Sequence, residues 1–180
     1  MRLLKYEGYR LTFEPELLAL KVFKDLYNKD KSKDKSNFLL NLAFIYFYCD
    51  ARSDYQYIIN PADRMRAIIE GEGLNKNFNI DKTLQAAIDY YNSFKTTATL
   101  LLEDTRAMVD GYRKTLKEMT ASMETMEVKD IKAIGDIIKL IPTMVKDLDS
   151  AEKAVTKELM QEDKIRGTAE KGMFEDLNFM

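Results

Sequence analysis

Asp30, Ser32 and Asp34 place side-chain oxygens at every second position, the spacing with which a calcium-binding loop begins. Such a loop next needs a glycine for its sharp turn and, at its end, a bidentate glutamate; Lys35 and Asn41 occupy those places. Lys29, Lys31, Lys33 and Lys35 are threaded between the oxygens and repel a cation. With Lys21 and Lys24 the same lysines make a local basic patch that phosphates could use. Asp25, Asp30 and Asp34 interrupt that patch, and a mixed charge run of this kind reads more simply as a solvated connection between helices.

Elsewhere reactive chemistry is thin. The 180 residues include no histidine, no tryptophan and one cysteine. Without histidine the usual general base is missing, Ser–His and Cys–His nucleophile pairs are excluded, and structural zinc lacks its ligands. The "GEG" at 71–73 is followed by neither the lysine of a phosphate loop nor a helix-opening glycine. Thirty acidic residues remain, nearly all on polar helical faces where water is the natural partner. No catalytic, cofactor-binding or metal-binding residue is expected, and a non-enzymatic role follows. A net charge of −2 provides no global basic face for nucleic acid. The longest apolar block, Phe38 to Cys49, is too short to span a bilayer and contains Asn41, so no membrane partner is expected. The opening "MRLLKYEGYR" lacks the apolar core of a secretory signal, and Cys49 alone cannot form an internal disulfide, which makes a reducing, cytoplasmic site of folding the default.

What is left for function is recognition, and helices must position it. The pattern predicts an all-α chain, a single domain over 1–180: a small helical body, a long antiparallel helical hairpin, and extended N- and C-terminal arms. Residues 1–13 form an extended arm or a small hairpin about Glu7-Gly8. The helical body with its loops covers 14–80. Pro15 opens a first helix running to about Tyr27, and Ser32 or Ser36 opens a second, apolar around most of its circumference and therefore central, with Cys49 buried. Asn60-Pro61 reads as cap and first turn of a short third helix that stops at "EGEG".

The hairpin is expected over 81–165, with Asp81 as its N-cap. Ile88, Tyr91, Ala98, Leu102, Thr105, Val109, Tyr112, Leu116 and Met119 follow alternating steps of three and four, with Lys95 in the one gap. Ile131, Ile134, Ile138, Ile141, Val145, Leu148, Val155 and Leu159 repeat the pattern, interrupted by Glu152. Two helices of roughly 30 residues, each roughly 45–50 Å long at 1.5 Å per residue, are predicted to fold back near "TASMETME". Pro142 should kink the second arm without breaking it.

Two segments are candidate protein interfaces. The Asp50–Asn60 loop offers Asp50, Arg52, Asp54, Tyr55 and Tyr57, either as a recognition surface or as a plain connection. Residues 166–180, where Gly167 and Gly172 should end the helix, carry Met173, Phe174, Leu177 and Phe179 spaced among acids; they read as a tail that docks on a neighbouring subunit, in preference to one that folds back on its own domain or stays loose.

The order of "RLLKYEGYRL", "DKSKDKSNFLLNLAFIYFYCDARSDYQYI", "IIEGEGL", "YYNSFKTTATLLLEDTRAMVD" and "RGTAEKGMFEDL" resembles a virion structural protein of the crAss-like tailed phages. The resemblance spans nearly the whole chain and rests on the combination of segments, none of which is a catalytic signature. It implies a portal-vertex ring or adaptor, a head-to-tail connector in a homo-oligomeric ring set by the portal's twelve-fold symmetry. The implied partners are the portal protein and neighbouring ring or tail proteins, around a DNA channel that is lined without sequence-specific contact. The implied location is the virion. The alternatives are a soluble helical adaptor that captures a protein partner, or another tail or capsid subunit.

Overall fold

The computed structural model describes residues 3–122 and 128–171, apart from the side chains of Glu7, 128–130 and 162–171. The described residues are mostly helical, as the sequence pattern requires, and the chain divides into two compact units, 1–95 and 96–180.

The first unit opens with a hairpin, so the first of the two readings for residues 1–13 gives way to the second. Strands β1 (Leu4–Glu7) and β2 (Arg10–Phe13) pair antiparallel, with Leu4 opposite Phe13 and Glu7 opposite Arg10. Gly8 and Tyr9 make the turn with φ of 56° and 61°, the two successive positive values of the turn that matches strand twist. Glycine takes this conformation freely; Tyr9 is held in it.

Pro15 starts a short 3-10 turn, Pro15–Ala19, and not the expected helix to Tyr27. Leu20 is extended, and helix α1 covers Lys21–Lys29. The break has a packing reason. Leu17 and Phe23 are both fully buried, yet in one continuous helix six residues apart they would point to widely separated faces. Interrupting the helix at Leu20 turns both inward.

Helix α2 (Ser36–Cys49) is central, as its all-round apolarity predicts. Phe38, Leu42, Phe44 and Ile45 are fully buried, and Cys49 is buried with them. Phe38 meets Phe13 and Tyr27 edge-on, while Phe44 lies against Tyr48 and Phe78. Burial of each such ring contributes about 1.5–3 kcal/mol. Helix α3 (Pro61–Gly71) begins where expected, with Asn60 Oδ1 accepting from the N–H groups of Ala62 and Asp63.

Helix α4 spans Lys82–Asn92, capped by Asp81, which accepts from the N–H groups of Thr83 and Leu84 and also pairs with Lys29. It is not the start of the hairpin. The chain turns at 93–95, and Thr96 caps a separate helix, α5 (Thr97–Ala121), by accepting from the Thr99 N–H at 3.2 Å. Threonine side chains at 96, 97 and 99 compete with helical backbone bonds, which favours a new start there. Leu84, Ala87 and Ile88 therefore belong to the core of the first unit.

In the second unit α5 runs antiparallel to α6 (Val128–Lys171): Thr96 Oγ1 donates to Glu158 at 2.6 Å and Arg106 to Glu152 at 2.9 Å. The arms are unequal, about 37 and about 66 Å at 1.5 Å per residue. The α5 stripe is largely as expected, with Leu102 and Thr105 buried and Ala98, Val109, Leu116 and Met119 half-buried, but Tyr112, expected in the seam, is exposed. The α6 stripe is rotated. Ile134, Met144, Ala151 and Val155 are buried, whereas Ile138 and Val145 are exposed. The reason is Glu152. The expected stripe would bury it, while a small rotation puts Ala151 in the seam and leaves Glu152 at the edge beside Arg106.

Helix α6 continues through Pro142, and also through Gly167, where the sequence suggested a break. Residues 166–171 are thus helical. The join near "TASMETME" falls largely on residues 123–127, outside the described residues, as do Gly172 and the interface candidates Met173, Phe174, Leu177 and Phe179.

Candidate protein-interaction surfaces

The lysine run is a connection built on Asp30. Its carboxylate accepts from the N–H and hydroxyl of Ser32 at 2.9 and 2.7 Å, and from the Phe38 N–H at 2.8 Å. These donors, the Ser32 hydroxyl first, hold the Asp30 carboxyl well below the ordinary carboxylate range. Lys35, at φ 55°, donates to the Asp30 and Tyr27 carbonyls and lies over the Tyr27 ring. The aspartate anchors the start of α2 and holds no cation-binding geometry.

The Asp50–Asn60 loop is largely tied down. Helix α2 ends with carbonyls that need donors, and the loop supplies them. Ser53 Oγ donates to the Phe47 carbonyl at 2.7 Å, while Gln56 and Arg64 both donate to that of Tyr48. Asp50, only 9% exposed, accepts from its own loop at the Arg52 N–H and from Tyr91 Oη at 2.6 Å. Burial, then the Asp50 charge, pushes the Tyr91 hydroxyl far above the usual tyrosine range. Asp50 is therefore an internal anchor. Arg52 is half-buried, while Asp54 and Tyr57 are exposed, Tyr57 by 72%.

Those exposed residues belong to a tyrosine face. The 3-10 turn Asp54–Tyr57 sets Tyr55 edge-on to Phe47, and Tyr55 Oη donates to Glu72 at 2.8 Å. Burial first, then Glu72, raises the Tyr55 hydroxyl to about 12. Tyr6 of β1 packs on Tyr46 and Phe47, and its hydroxyl is raised by burial and then by Glu72, Tyr9 and Asp54. The turn residue Tyr9, beside the strand that carries Tyr6, is 94% exposed. Tyr6 and Tyr55 are backed by the core while Tyr9 and Tyr57 stand exposed, and tyrosines with acids nearby are suited to protein contact because two torsions are all that docking must fix. Sequence reasoning found the loop that carries Tyr55 and Tyr57; it read Gly8 only as part of a hairpin turn and did not single out Tyr9.

The second surface lies between α5 and α6. Val109, Tyr112 and Leu116 face Ile141, Met144 and Val145 across a groove of about 190 Å³, with Arg113 contributing the polar side. Beside it Ile131 and Ile138 extend an exposed apolar flank of α6. Residue spacing alone could not single out this groove, because it depends on which of two adjacent apolar stripes of α6 turns toward α5.

Among the described residues no three acids or cysteines converge as a metal site would require, and no helix is long and apolar enough to cross a membrane. Comparison with protein-family models, with curated proteins and with solved structures finds no match to this chain.

Proposed function

We propose that this chain is a structural assembly subunit of a virion, a portal-vertex ring or adaptor protein joining portal to tail in a crAss-like phage. The carrying observation is the exposed apolar flank and groove of the helical hairpin, where Ile138 and Val145 stand 51% and 57% exposed beside a filled seam. A contiguous apolar face of this kind marks a surface that another chain covers. The exposed tyrosines of the first unit supply a second candidate contact. The role in this proposal is non-catalytic, and the phage assignment itself rests on the sequence resemblance.

The tyrosine face also favours a second reading, a soluble helical adaptor with one protein partner. Imaging purified virions at the portal vertex separates the two. A symmetric ring of these subunits is the expected result. Absence of the chain from particles, with a single soluble partner recovered through the tyrosines of the Asp54–Tyr57 turn, would replace the first reading by the second.

A further inference from the structure

The α5–α6 groove is sized for one phenyl ring. An apolar cavity of about 150 Å³ accommodates benzene and stays dry, and this groove measures about 190 Å³ with Arg113 alone contributing charge. Most phenylalanines of the chain are already packed. Phe23, Phe38, Phe44 and Phe47 are buried in the first unit, Phe13 and Phe78 pack against the same core, and Phe94 lies edge-on to Tyr90. Phe174 and Phe179 remain, flanking Leu177, with Glu175 and Asp176 between them as acids that suit Arg113 at the groove. Asp110 holds Arg113 at 3.1 Å but also pairs with Lys114 at 2.8 Å, so Arg113 keeps further donors for an incoming carboxylate.

Reach decides whose phenylalanine it is. Along α6 from Val145 to Lys171 is about 39 Å at 1.5 Å per residue. From Lys171 to Phe179 the chain spans at most about 29 Å even when fully extended. A copy whose α6 is helical to Lys171 cannot place its own Phe179, still less Phe174, in its own groove. We infer that segment 172–180 of one copy docks a phenyl ring in the α5–α6 groove of a second copy. This deepens the assembly reading and rests on it. Groove and segment are different patches, so the contact is heterologous and propagates from copy to copy until a ring closes, unless two copies exchange segments.

Full-length chains test this by sedimentation velocity. Val145→Glu disables the groove, and Phe174→Ala with Phe179→Ala disables the segment. The expected result is that the parent chain self-associates, that each variant alone associates at least tenfold more weakly, and that the two variants mixed form a one-to-one pair that grows no further. Tyr112→Ala repeats the groove test should Val145→Glu lose helix content. A parent chain that stays monomeric at millimolar concentration, variants that associate like the parent, or a mixture that fails to pair would each overturn the inference. So would association abolished by Ile138→Glu but insensitive to the phenylalanine changes, which would assign the contact to the α6 flank. Virions that contain the chain while the variants associate normally would refute this inference alone; absence from virions would refute the assembly reading itself.

Discussion

Tyr91→Phe removes one oxygen and asks whether Asp50 is an internal anchor. In the folded chain Tyr91 Oη donates to Asp50 Oδ2 at 2.6 Å, while Oδ1 accepts from the Arg52 N–H at 2.9 Å. The substitution leaves a buried carboxylate oxygen without its side-chain donor. A hydrogen bond to a charged group is worth about 1.5–3 kcal/mol. For a unit of this size each kcal/mol moves the melting temperature by about 4–8 °C, so a fall of about 6–24 °C is expected. Near-ultraviolet circular dichroism is the suitable readout. There is no tryptophan, and Tyr112 is the one tyrosine beyond Lys95, so the signal reports the first unit. Tyr57→Phe is the control: its ring is 72% exposed, and a change within about 0.5 kcal/mol is expected. A Tyr91→Phe protein that melts within about 2 °C of the parent would refute the reasoning. Asp50 would then be solvated, and the loop would return to the open recognition surface that its composition suggests.

Three further outcomes follow from the same geometry. An added Cβ at Gly71 would collide with Tyr55 Oη, so Gly71→Ala should displace that ring, break its bond to Glu72 and destabilise by about 1 kcal/mol; spectrophotometric titration should show the Tyr55 hydroxyl falling from about 12. Asp30 keeps its charge in the folded state where the unfolded chain has already taken up a proton, so stability is present above the ordinary carboxylate range and is withdrawn as pH falls through and below it, from about pH 5 downward. Urea midpoints measured across that range should flatten in Asp30→Asn, and an unchanged acid limb would refute the assignment. In the hairpin, Leu102→Ala should cost about 2–4 kcal/mol by emptying the seam, whereas Ile138→Ser, on the exposed flank, should stay within about 0.5 kcal/mol by denaturant titration.

Much of the fold is local and therefore legible in the residues. Asn60-Pro61 and Asp81 start helices because their side chains can satisfy the first free N–H groups wherever the rest of the chain lies. Phe38 to Cys49 is central because most of that helix's circumference is apolar, although Leu39 and Leu40 stay exposed. The α5 stripe from Leu102 to Met119 was readable for the same reason: only one of its faces is apolar enough to be a seam.

The candidate surfaces were less legible, because each depends on a choice between local options of similar energy. Helix α6 carries two adjacent apolar stripes, and only packing against α5 selects the one that contains Ala151 over the one that contains Glu152. Leu20 interrupts a periodic stretch that propensity alone would continue, because burying Leu17 with Phe23 outweighs the lost helical bonds, whereas the turn at 93–95 adds to the local signal of Thr96, Thr97 and Thr99 the burial of Tyr91 beside Asp50. Asp50 illustrates the division most simply. By itself the sequence determined that an acid follows an apolar helix. Whether that acid meets solvent or a tyrosine hydroxyl 41 residues away was decided only when α4 packed against α2, since a contact of that sequence separation has no local signature.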